Sequence, residues 1–127
     1  MDAKNTTSAD LVDIGRALQR LAGDVELLQE IVEIFLDMIP GQLDELDRFI
    51  AAGDAAGVAN QAHDIKGGAS NFCAGPFETA ASALEKLANS GSLEGAPALV
   101  ARLRTEFGSL HDRLSTLDWR NIATIPR

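Results

Sequence analysis

The sequence predicts an all-α fold, an up-and-down four-helix bundle with a short additional N-terminal helix. Three observations carry that expectation. Apolar residues recur at helical spacing along almost the whole chain, and strand-like alternation is nearly absent. The connections between periodic stretches are short, which favours antiparallel neighbours. The chain has 127 residues, the size of one domain, with 46% hydrophobic and 24% charged, so a packed core is expected rather than disorder.

The first helix is expected to start with Ser8 or Asp10 as N-cap, to carry Leu11, Ile14, Leu18 and Leu21 on one face, and to end at Gly23. Asp24 then caps a longer element with Leu28, Val32, Phe35 and Ile39 as its stripe, continued by Leu43, Leu46 and Ile50. Pro40 has no N–H to give and crowds the preceding turn, so a kink or short break is expected at Pro40-Gly41. Gly53-Asp54 reads as a stop followed by a cap. Val58, Ala62, Ile65, Ala69 and Phe72 form the next helical face. Gly75-Pro76 opens another helix, since proline suits a first turn. Its buried face is Phe77, Ala80, Ala81, Leu84 and Leu87, and Asn89-Ser90-Gly91 ends it. The most regular stripe is Ala96, Val100, Leu103, Phe107, Leu110, Leu114 and Leu117. The bundle therefore spans residues 8–117, and residues 118–127 form a tail without clear period. One bundle accounts for these apolar faces, so a monomer is expected.

Composition excludes several functions. The net charge of −8 argues against nucleic acid as a partner. Residues 1–62 carry 12 acids and 4 bases, and the rest carry 7 of each, so all the excess negative charge precedes His63. No apolar run approaches the roughly 20 residues of a membrane span. The start, MDAKNTTSAD, lacks the cationic and apolar parts of a signal peptide, so a cytoplasmic location is expected. Cys73 stands alone, which removes an internal disulfide and a four-cysteine zinc site.

The informative stretch is His63-Asp64-Ile65-Lys66-Gly67-Gly68-Ala69-Ser70-Asn71-Phe72. At about 100° per residue, His63 points about 140° from the centre of the core stripe. Gly67 lies on the same outward side one turn later, with Lys66 and Ser70 flanking it. Two adjacent glycines inside a helix cost roughly 1 kcal/mol each relative to alanine. Bare backbone beside a histidine has a use: it lets another protein surface approach the imidazole. Lys66 at i+3 can neutralise an anion attached to the ring. Together these residues describe a nucleophilic histidine carrying a phosphoryl group that a partner presents.

This stretch, HDIKGGASNF, resembles the histidine-containing phosphotransfer (HPt) domain family, whose core pattern is His, two residues, Lys-Gly, then small residues and an apolar position. The resemblance extends over RLAGDVELLQEIVEIFLDMIPGQLDELDRFIAAGDAAGVANQAHDIKG and on through Leu84-Glu85, roughly residues 10–115. It implies that His63 is phosphorylated on Nε2 and exchanges the group with an aspartate of a receiver domain. It implies that Lys66 helps position phosphate, that Gly67 gives the receiver room, with Gly68 and Ser70 in support, and that Glu85 hydrogen-bonds Nδ1 of the ring. Such a bond would hold the Nδ1–H tautomer and free the Nε2 lone pair. The implied partners are a response-regulator receiver domain, a hybrid histidine kinase, or both. No cofactor of its own is implied; Mg²⁺ is expected on the receiver. Cys73 departs from the family, where glycine is common.

The chain has no glycine-rich nucleotide loop, Walker pattern or kinase ATP-binding segment, so it is expected to be a phosphotransfer protein without kinase machinery. Met1 and the short tails favour a free protein over a piece of a hybrid kinase. Asp64 reads as a solvated residue, as does His111 outside the last apolar stripe, and no close His spacing suggests a metal site. A Cys–His hydrolase is rejected, because ten helical residues set Cys73 and His63 about 15 Å apart. The alternative to a phosphocarrier is a non-catalytic acidic helical interaction module, against which the glycine pair beside His63 argues.

Overall fold

A computed structural model of the chain describes residues 14–71 and 75–117. Five helices make up these residues: α1 (Ile14–Arg20), α2 (Val25–Ala51), α3 (Ala55–Ser70), α4 (Gly75–Asn89) and α5 (Ala96–Ser115). Helix α2 packs on α3, α3 on α4, α4 on α5, and α5 closes the ring against α2, while α1 leans on α2. This is the expected up-and-down four-helix bundle with its short N-terminal helix. Ser8, Asp10, Leu11, Phe72, Cys73 and the tail from Asp118 lie outside the described residues.

Local chemistry sets the helix ends. The carboxylate of Asp24 accepts from the Leu27 N–H at 3.0 Å, and that of Asp54 accepts from the Gly57 N–H at 2.9 Å, so each supplies a first-turn donor with the partner it lacks inside the helix. Between α2 and α3 the chain reverses through Gly53, whose φ of 70° suits a residue without Cβ. Helix α1 stops at Arg20, and Gly23 closes the turn by donating to the Leu18 carbonyl at 2.7 Å.

The expected stripes fill the core. Leu28, Val32, Phe35, Ile39, Leu43 and Leu46 of α2 meet Val58, Ala62, Ile65 and Ala69 of α3, with Phe77, Ala80, Ala81 and Leu84 of α4 and Val100, Leu103, Leu110 and Leu114 of α5. Burying each large aliphatic or aromatic side chain contributes roughly 1.5–3 kcal/mol. Phe35 meets Phe77 edge-on, with ring centroids 5.7 Å apart at 79°, and Phe107 leans on both at 6.2 and 6.4 Å. On the outside, Arg104 of α5 ties to Asp44 and Asp47 of α2 at 3.2 and 2.6 Å.

Two expectations need correction. Helix α2 runs for 27 residues through Pro40-Gly41, so the short break offered as one outcome there is absent. Both residues are exposed, whereas Ile39 and Leu43 beside them are buried. Burial on both sides of the proline holds one helix together against a propensity loss of about 3 kcal/mol. One bundle also does not absorb every apolar face: Leu27, Ile34 and Met38 of α2 remain exposed.

Two glycines of α3 should respond oppositely to alanine. A Cβ at Gly57 would stand 2.6 Å from Phe49 Cδ1 and 2.7 Å from the capping Asp54 Oδ2. Gly57→Ala should therefore destabilise by about 1–3 kcal/mol despite alanine's better helix propensity. At Gly67 nothing lies within 4 Å of the added carbon, so Gly67→Ala should gain up to about 1 kcal/mol. Urea midpoints of the two variants should move in opposite directions from the parent.

Candidate functional site

The buried row of α3 leaves His63 pointing outward, with its side chain 65% exposed. Helix α4 packs against α3, and both helices bury small residues, Ala62 and Ala69 on α3 and Ala81 and Ala88 on α4. Small side chains let two helix axes approach, since interaxial distance follows the residues at the contact. That approach brings Glu85 of α4 within reach of α3.

Glu85 uses both carboxylate oxygens. Oε2 lies 3.0 Å from His63 Nδ1, and Oε1 lies 3.0 Å from Lys66 Nζ. Exposure falls from His63 through Lys66 at 34% to Glu85 at 18%, so the carboxylate is the most sheltered of the three. The Lys66 ammonium, ahead of the opposing effect of burial and the bond to His63, holds the Glu85 carboxyl below the usual carboxylate range. An ionised carboxylate only accepts hydrogen bonds, so the proton between Glu85 and the ring belongs to Nδ1. In the neutral imidazole this leaves the lone pair on Nε2, the nitrogen away from Glu85.

Lys66 and Glu85 therefore do not act apart. The sequence reading expects Lys66 to meet an incoming anion, and the family resemblance implies Glu85 as partner of the ring. The structure pairs them with each other as well, across two helices that sequence spacing alone does not bring together.

The glycines also divide. Gly67 is exposed, with open space where a side chain would begin. Gly68 is turned toward α2, where a Cβ would meet Phe35 Cδ1 at 3.7 Å. Ser70 donates its hydroxyl to the Gly67 carbonyl at 2.8 Å, within its own helix, and its carbonyl accepts from the Arg20 guanidinium at 2.7 Å. The Arg20 contact was not legible in the sequence, although a cation near a helix C-terminus complements the helix dipole. Asp64 is exposed. His111 sits on α5 with its ring centroid 6.1 Å from that of Phe107 and its Nδ1 4.0 Å from Asp112. Among the described residues no three His, Cys, Asp or Glu side chains group as a metal site, and no helix is long and apolar enough to cross a membrane.

Comparison with known proteins bears on the family and the fold. The family model of the Hpt domain matches residues 30–116. No curated protein sequence matches the chain. The crystal structure of histidine-containing phosphotransfer protein B (HptB) from Pseudomonas aeruginosa PAO1 is similar to it, with a TM-score of 0.76 and 26% sequence identity, covering 92% of this chain and 97% of that one.

The lowered Glu85 pKa fixes a pH dependence. A carboxyl held lower in the folded state than its ordinary value of 4.5 adds stability that is fully present above that value. The contribution is lost as pH falls through the lower, folded value. Glu85→Gln should therefore be less stable than the parent at neutral pH, by on the order of 1 kcal/mol for so partly exposed a pair. Urea titrations repeated down to about pH 3 should show that gap closing. A gap that stays constant with pH would mean that Glu85 carries no ionic role.

Proposed function

The chain belongs to the Hpt domain family, and from that premise we propose that it is a histidine phosphocarrier of a two-component phosphorelay, exchanging a phosphoryl group between His63 Nε2 and the aspartate of a receiver domain. The observation that carries this reading is the bond from Glu85 to Nδ1 of an outward-facing His63. The similar HptB is itself a histidine-containing phosphotransfer protein.

In this reading the receiver presents its aspartyl phosphate over the bare backbone at Gly67. The Nε2 lone pair attacks phosphorus; the N–P bond forms as the bond from phosphorus to the carboxylate oxygen breaks, and the carboxylate leaves. The ring gains positive charge as it takes the phosphoryl group. Glu85 opposes that charge through Nδ1–H and keeps the ring from turning. Lys66 has three donors and needs only one for Glu85, so the others can meet the phosphoryl oxygens. Catalysis of phosphoryl transfer rests mainly on such positioning and charge. The Mg²⁺ of the reaction belongs to the receiver, and the reverse transfer uses the same contacts.

Two variants test the proposal. His63→Gln should abolish acid-labile, base-stable phosphate incorporation from a phosphorylated receiver and keep its helical circular dichroism, because the side chain is exposed. Undiminished labelling would remove the reading. Gly67→Gln should fold normally and slow transfer by at least about tenfold, because a long side chain fills the open approach to the ring. A normal rate would show that the approach does not pass over Gly67.

A further inference from the structure

Among the described residues, four of the five helices carry a basic residue in their own last turn: Arg20 in α1, Arg48 in α2, Lys86 in α4 and Arg113 in α5. Helix α3, which bears His63, carries none. A helix C-terminus gathers the negative pole of the aligned peptide dipoles and leaves its last carbonyls without partners inside the helix. The end of α3 is also weak in itself. Gly67 and Gly68 stand in its last turn, and glycine is the poorest helix former after proline.

The missing partners come from two places. Locally, the Ser70 hydroxyl donates to the Gly67 carbonyl at 2.8 Å, and the Asn71 N–H donates to the Gly68 carbonyl at 3.3 Å. The Ser70 carbonyl is met from outside, where the Arg20 guanidinium donates to it at 2.7 Å. Helix α1 packs on α2 and not on α3, so this one side chain spans the distance to the end of α3. Its root is fixed. Ala17 and Leu18 are fully buried, and Gly23 closes the following turn onto the Leu18 carbonyl at 2.7 Å. Arg20 thus brings to α3 the terminal cation that the other helices hold on their own.

We propose that Arg20 is a positioning residue for phosphoryl transfer: it holds the glycine-bearing last turn of α3 in helical form, so that the backbone at Gly67 is ordered before the receiver arrives. The receiver's approach over Gly67 rests on the function proposed above; the clamp itself does not. A partner that needs the formed turn binds more weakly in proportion to the fraction of molecules in which that turn is frayed. Ser70 lies about two helical turns beyond His63, so Arg20 acts on binding and not on the chemical step at the ring. Removal of a positive charge is a separate effect, and Arg102 isolates it. Arg102 is exposed as well, on a helix that packs on α2 and α4 and not on α3.

The test compares Arg20→Gln, Arg20→Lys and Arg102→Gln in the full chain. In Arg20→Gln, amide hydrogen exchange at Gly68, Ala69 and Ser70 should quicken by on the order of tenfold, while Ala59 and Ala62 of the same helix keep the parent's rates. Arg20→Lys should restore most of the protection, because an ammonium keeps the charge and a donor. With a phosphorylated receiver, the concentration giving half the maximal labelling rate of His63 should rise at least about twofold in Arg20→Gln, with the maximal rate unchanged. Arg102→Gln should match the parent in both measurements. Unchanged exchange in Arg20→Gln, or faster exchange along the whole of α3, would overturn the proposal. So would a fall in the maximal rate, an unchanged half-saturating concentration, or the same effects from Arg102→Gln. The exchange measurement uses no receiver, so a missing clamp and a missing phosphocarrier give different results.

Discussion

The carboxylate of Glu85 is the point on which the site depends. It holds one ring nitrogen of an otherwise solvent-facing histidine and one ammonium, and it does so from the neighbouring helix. An imidazole on a helix surface has two tautomers and a free second torsion; a single acceptor at Nδ1 removes both freedoms. That acceptor must be charged, and Lys66 keeps it so. It must also be near, and the packing of α4 against α3, both with small buried alanines, suits that approach. Packing, ionisation and tautomer are thus one chain of cause, running from small buried side chains to the orientation of a lone pair.

What could be read from the sequence follows how far apart the interacting groups lie. Asp24 and Asp54 act on N–H groups three residues away, and both caps are visible in a short window. The buried stripes are equally local, because a 3.6-residue period states which side of a helix is apolar. Pro40 misleads for the opposite reason: its local preference is real, but burial of Ile39 and Leu43 on the far side of the helix overrides it. Glu85 stands 22 residues from His63. Family resemblance named it as the ring's partner, and no spacing rule pairs it with Lys66. The row at Leu27, Ile31, Ile34 and Met38 is written as plainly as the core row. Periodicity alone does not say which of two apolar rows meets the bundle.

Three glycines of one helix answer to three different constraints. Gly57 is required by contact, with Phe49 and the Asp54 cap occupying the space of a side chain. Gly67 has no such neighbour, so its bareness serves nothing inside the fold and points outward. Gly68 lies between these cases, with ordinary contact distance to Phe35 for one carbon and a groove beyond it. Stability alone would replace Gly67 and keep Gly57, so the glycine that the fold does not need is the one that the proposed approach of a receiver explains.

The bond from Arg20 to the Ser70 carbonyl joins residues 50 apart in sequence. It makes α1 a latch on the last turn of the helix that bears His63, rather than an appendage of the bundle. Opening the latch would leave the end of α3 with one carbonyl fewer satisfied and its final turn freer to unwind.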